Sequence, residues 1–154
     1  MKALLARIES LFQFIGGLLP ESLLMLFARL AIAYTFFSSG RTKVTGLLDV
    51  TDTALYLFQE EYSVPLIPPD IAAYMAAYAE HFFPILLVLG LFTRFAALSL
   101  LIMTLVIQLF VYPDAWNVHM WWGIAMLYLL KHGGGNWSLD HLFSRHSRQE
   151  PAMR

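Results

Sequence analysis

The chain has 154 residues, 58% hydrophobic and 14% charged, with a formal net charge of -1 and a mean hydropathy of +0.61. A soluble domain is usually about 45–50% apolar and about 25% charged, so this composition excludes an ordinary water-soluble core and points to lipid as the solvent. The near-neutral charge argues against a nucleic-acid partner, and the lack of cysteine excludes disulfides, thiolate metal sites, Cys-ligated clusters and covalent c-type haem.

The first twenty residues, "MKALLARIESLFQFIGGLLP", place Leu4, Leu5, Ile8, Leu11, Phe12 and Ile15 at helical spacing, with Lys2, Arg7 and Glu9 between them. That pattern predicts an amphipathic helix lying in the membrane interface. A cleaved signal peptide fits less well, because Glu9 interrupts the apolar region and no small-x-small site precedes Pro20. The next apolar run, residues 22–40, is a first membrane span. In it Ala28, Ala31, Thr35 and Ser38 form a small-residue stripe suited to close helix approach. Gly90, Ala96, Ala97 and Gly123 are expected to do similar work in the later spans.

Residues 41–70 read as an outer loop with a short helix between Leu47 and Phe58, broken by "VPLIPP" before the second span. The remaining spans are predicted at residues 71–92, 95–112 and 117–131, the last short but opening among tryptophans that suit the interfacial belt. "GGGNWSLD", from Gly133, predicts a structural turn with Ser138 capping a short helix through Asp140 and His141; it lacks the Lys-Ser/Thr ending of a phosphate loop. Residues 141–154 read as a solvated polar tail, which with its approach holds His132, His141 and His146. The expected fold is therefore all-α: an integral membrane four-helix bundle over residues 21–140, with an N-terminal interfacial helix over residues 1–20. Lys2, Arg7, Arg94, Lys131, Arg145, Arg148 and Arg154 collect on one side, against Arg41 and Lys43 on the other, which puts both termini in the cytoplasm.

Ionisable groups inside spans are costly and are candidates for function. Arg29 cannot shed its proton and needs an anion or water. Glu80 is the only acidic residue deep in a span, and depth counting predicts an Arg29–Glu80 pair between the first two helices. Pro84, one turn after Glu80, frees that residue's carbonyl from the helical ladder. Glu80 and His81 are the candidate proton-handling residues. Arg29, Tyr78, Gln108 and His119 are candidates for contacting a ligand, and the row of Tyr74, Tyr78 and His81 could border a ring such as a quinone. Each also has a plain structural reading, as helix register or interhelical hydrogen bonding. No metal site is expected, because His81 and His119 lie at different depths.

Three stretches resemble the DoxX family across nearly the whole chain. They are "FARLAIAYTFFSSGRTKVTG" with Arg29 and Gly40 to Lys43, "AEHFFPILLVLGLFTRFAAL" with Glu80, Gly90, Thr93 and Arg94, and "GGGNWSLDHL" with Gly133, Gly135, Ser138 and Asp140. Asn136-Trp137 departs from the family's usual pair. The resemblance implies a four-helix inner-membrane protein with an accessory role in a membrane redox system; the family's namesake is linked to a thiosulfate:quinone oxidoreductase. "VYPDAWNVHMWW" is also similar to members linked to metal-dependent peptide-modifying enzymes. Three expectations stay open. One is a quinone-binding subunit of an oxidoreductase. Another is a non-enzymatic membrane partner or assembly protein that docks a protein in the membrane or periplasm. The third is a small transporter in which Arg29 meets an anion. Besides the lipid bilayer, a second copy of the chain is a further candidate partner.

Overall fold

A computed structural model of the protein describes residues 1–62 and 64–149. Its helices are α1 (Lys2–Gly17), α2 (Glu21–Lys43), α3 (Asp52–Glu60), α4 (Pro69–Leu89), α5 (Thr93–Phe110), α6 (Trp116–His132) and α7 (Leu139–Gln149), with a two-stranded hairpin, β1 (Val44–Thr45) and β2 (Asp49–Val50), between α2 and α3. Three of them, α2, α4 and α5, are long and apolar enough to cross a membrane. At 17 residues α6 is at the short end of that range.

Local chemistry sets the boundaries. Pro20, extended at φ -64 and ψ 138, breaks the chain before α2, whose first turn carries Glu21 and whose last turn carries Arg41 and Lys43, the signs that suit the helix dipole. Thr51 caps α3 by accepting from the Ala54 N–H at 3.1 Å. Gly90 ends α4 in the left-handed region at φ 65, where its N–H reaches Leu87 and the next N–H reaches Leu86. These paired bonds satisfy carbonyls that the helix end leaves free. α4 runs on through Pro84, which has no N–H for the Glu80 carbonyl.

Helix α2 packs against α4 and α6, and α5 packs against α4 and α6. Ile32, Phe36, Leu87, Leu100, Met126 and Leu129 meet in the centre, with Ala96 and Ala97 fully buried beside them. α3 lies over the start of α4, where Phe58 packs on Ala72 and Ala73. The outward faces stay apolar: Phe27, Phe82, Leu105 and Ile124 are all more than half exposed. A soluble protein rarely presents apolar surface on that scale, and a bilayer covers it.

Three expectations change. The face that α2 buries is Met25, Arg29, Ile32, Ala33, Phe36 and Gly40. Ala31 and Ser38 of the expected stripe are exposed, because the large apolar residues sit about 100° round from it. Gly123 does not mark a close helix approach: a Cβ there would meet open space. The short helix expected after Ser138 takes in most of the expected tail, over Leu139–Gln149, and Ser138 Oγ caps it by accepting from the His141 N–H at 3.2 Å. Residues 150–154 of that tail lie outside the described residues.

Candidate functional site

The two charged residues expected to pair do not meet: Arg29 sits at the last turn of α4 and Glu80 at that helix's middle. Arg29 is 1% exposed, and its guanidinium donates to four carbonyls. Nε reaches Leu87 at 2.7 Å, Nη2 reaches Val88 at 2.7 Å, and Nη1 reaches Gly134 at 2.9 Å and Trp137 at 2.7 Å. The first two carbonyls belong to the last turn of α4, where the dipole is negative; Leu87's is shared with the Gly90 N–H that caps the helix. Carbonyl oxygens thus take the place of the expected carboxylate. Gly90 makes the approach feasible: a Cβ there would lie 2.8 Å from Arg29 Cζ and 2.5 Å from Ser138 Cβ. Asp140 completes the knot. Its carboxylate accepts from the Phe92 and Thr93 N–H groups, at 2.7 and 2.9 Å, at the positive start of α5. Phe92 is held there at a left-handed φ of 48.

Glu80 pairs instead with Lys43, Oε2 to Nζ, at 2.7 Å. Lys43 Nζ also reaches Ser39 Oγ at 3.0 Å. Depth counting failed because it set the ends of α2 and α4 level. Arg29, eight residues into α2, meets the last turn of α4, so α2 extends roughly 12 Å past that end. α2 also continues three residues beyond Gly40, which carries Lys43 into reach of Glu80. The glycine is needed at that crossing, since a Cβ on Gly40 would come within 3.0 Å of Glu80 Cβ.

The pair lines a cavity of about 420 Å³, inside the usual range of about 300–1,000 Å³ for small-molecule sites. Its walls are mainly apolar, from Phe36 on α2, Ala76 and Phe83 on α4, Met103 and Ile107 on α5, and Trp122 on α6. Phe58 and Tyr62 roof it from the α3 region. The Tyr62 and Tyr112 hydroxyls meet at 2.9 Å across the rim. Burial, and then the bond to Tyr112, raise the Tyr62 phenol above its ordinary range, so it is neutral at physiological pH. On the α6 side His119 faces the cavity, its Nδ1 2.7 Å from Gln108 Oε1.

Of the residues singled out from sequence, Glu80 and His119 line this cavity, and Gln108 stands behind His119. His81 does not line it. Its ring turns towards α2, edge-on to Phe37 at 5.1 Å, with Nδ1 donating to the Ala77 carbonyl at 2.7 Å. Tyr78 is 46% exposed, beside Tyr74 on the outer face of α4. Arg29 is committed to its carbonyls. Lys43 and Tyr62 are cavity residues that sequence reasoning left in the loop; for Lys43 the available signal was its four-carbon stem one turn beyond the span. Among the described residues no group of three His, Cys, Asp or Glu is placed to hold a metal.

Comparison with known proteins decides the family. The DoxX family profile matches residues 24–113, more than half of the chain. The chain belongs to the DoxX family. A relative by sequence, an uncharacterised protein of Haemophilus influenzae, is 31% identical over 132 residues, covering 79% of this chain and 83% of its own. No solved structure matches. The profile takes in Arg29, Lys43, Glu80, Gly90 and Gln108, but the carbonyls of Gly134 and Trp137 that complete the Arg29 knot lie beyond it. In this DoxX chain the features noted from sequence therefore separate into a buried hydrogen-bonded knot at one end and a polar-ended cavity at the other.

Proposed function

We propose that this DoxX protein is an accessory subunit of a membrane redox system and that the cavity beside Lys43 and Glu80 receives a ring-bearing apolar molecule of the quinone type. In this reading α6 is the fourth span, α1 lies in the interface of a bacterial inner membrane, and both termini are cytoplasmic. The observation that carries the proposal is the cavity itself, an apolar slot between α4 and α5 with an ion pair on one flank and a histidine on the other. Apolar walls take a ring, and the few polar groups orient its oxygens. Glu80, held by Lys43, is the residue placed to exchange a proton with such a ring. Electron transfer belongs to a partner, so the chain is at most one subunit of an oxidoreductase.

The test is tryptophan fluorescence of the purified protein in detergent, titrated with a short-chain ubiquinone analogue. Saturable quenching is expected, because Trp122 lines the slot, and Ala79→Phe, which fills it, should remove the saturation. Quenching that never saturates, or that ignores Ala79→Phe, would overturn the proposal. A second reading, a membrane partner that docks another protein, is favoured by Leu47 and Leu66, which stand 89% and 102% exposed on the loops at the Lys43 end. Co-purification of a second protein that is lost on changing both leucines to serine is its expected signature.

A further inference from the structure

Two histidines are buried in the bundle, and their free nitrogens differ. His81 and His119 are 7% and 6% exposed. His81 Nε2 is sealed from solvent without a partner. His119 Nε2 likewise has no protein partner among the described residues, but it is not among the sealed atoms, and its ring forms part of the cavity wall next to Trp122, centroids 5.0 Å apart.

The proton position on His119 is set by its neighbours. The Pro113 carbonyl can only accept, and the Gln108 side-chain amide meets it. The group facing Pro113 must therefore be the NH2, because the opposite orientation would set two acceptors together. Gln108 Oε1 then faces His119 Nδ1 at 2.7 Å and can only accept, so Nδ1 carries the hydrogen. A neutral imidazole has one such hydrogen, which leaves Nε2 as a bare lone pair. Gln108 is 3% exposed, so water does not compete for it. The chain Pro113–Gln108–His119 fixes a tautomer, as the outer partners of a metal-bound histidine do.

We propose that Gln108 positions His119 as a hydrogen-bond acceptor in the cavity, and that the site therefore prefers a ring carrying a phenolic hydroxyl, the reduced hydroquinone form, over the same ring without that proton. This rests on the ring-binding reading of the cavity. A carbonyl oxygen meeting the Nε2 lone pair is repelled, whereas a hydroxyl donates to it.

A redox-inert pair of probes isolates the donor hydrogen: tetramethylphenol and its methyl ether, which differ in that group alone. Titrated by tryptophan fluorescence, the unaltered protein should bind the phenol roughly tenfold more tightly, the worth of about one hydrogen bond. Gln108→Leu and His119→Phe should each bring the ratio close to one while ether binding persists. Nitrogen NMR of protein labelled at histidine should show His119 protonated at Nδ1, a readout that needs no variant to fold. Equal binding of the two probes, a preference that survives Gln108→Leu, or a hydrogen on Nε2 would overturn this assignment and leave the cavity reading standing. Binding of neither probe would overturn both.

Discussion

Lys43 and Glu80 have side chains 16% and 3% exposed, so neither can lose the other without consequence. Breaking a buried pair costs about 3–5 kcal/mol, and the partial exposure of Lys43 reduces that. Lys43→Met strands a carboxylate in the cavity wall and should cost about 3 kcal/mol. Glu80→Gln should cost less, because the lysine stem can swing its ammonium out past the end of α2. The double variant should be more stable than Lys43→Met alone, with melting in detergent as the measurement; simple additivity would remove the pair's importance. At the other end, Arg29→Lys replaces a planar fork by a point donor that cannot reach four carbonyls at once. With each buried carbonyl left without a donor costing about 1–3 kcal/mol, Arg29→Lys should melt well below the unaltered protein and Arg29→Met should fail to accumulate. That Arg29 and Glu80 needed partners was legible in the sequence, since both are ionisable groups inside apolar runs. Which partners was not, because that depends on the offset between antiparallel helices, and no residue type encodes it.

Helix-on-helix approach turns on single atoms. At Gly40 a Cβ would stand 2.9 Å from the His81 ring, closer than packed side chains sit. Gly40→Ala should therefore push α2 off α4 and cost about 1–3 kcal/mol despite alanine's better helix propensity. Gly123→Ala on α6, with nothing within reach of the new methyl, should stabilise by about 0.5–1 kcal/mol. Thermal melts of the two variants should move in opposite directions. Helix positions were readable from hydropathy: the three long spans fall within a few residues of where the apolar runs put them. The buried face of α2 was less readable. In lipid both faces are apolar, so periodicity carries little contrast, and the small-residue rule selected Ala31 and Ser38, which point outward. Most of α7 was hidden for the opposite reason, since its polar residues read as a tail until Asp140 is seen binding the start of α5.

For the whole molecule, the topology proposal rests on seven basic residues on one side of the spans against two on the other. A reporter active only outside the cytoplasm, fused after Arg154, should be silent, and activity there would reverse the orientation. The motifs that carried the family resemblance are far apart in the chain, and the fold brings them together: Arg29, Gly90, the Gly133–Gly135 run and Asp140 meet in one knot, while Gly40, Lys43 and Glu80 meet in one crossing. The knot also bears on how the protein is made. Arg29 belongs to an early helix, yet two of the carbonyls that receive it, Gly134 and Trp137, are synthesised more than a hundred residues later. While the ribosome is still working, the nascent first spans therefore hold a guanidinium with half of its acceptors missing. The knot closes only once the segment carrying Gly134 and Trp137 has been made, so a contact that fixes an early helix is among the late ones to form.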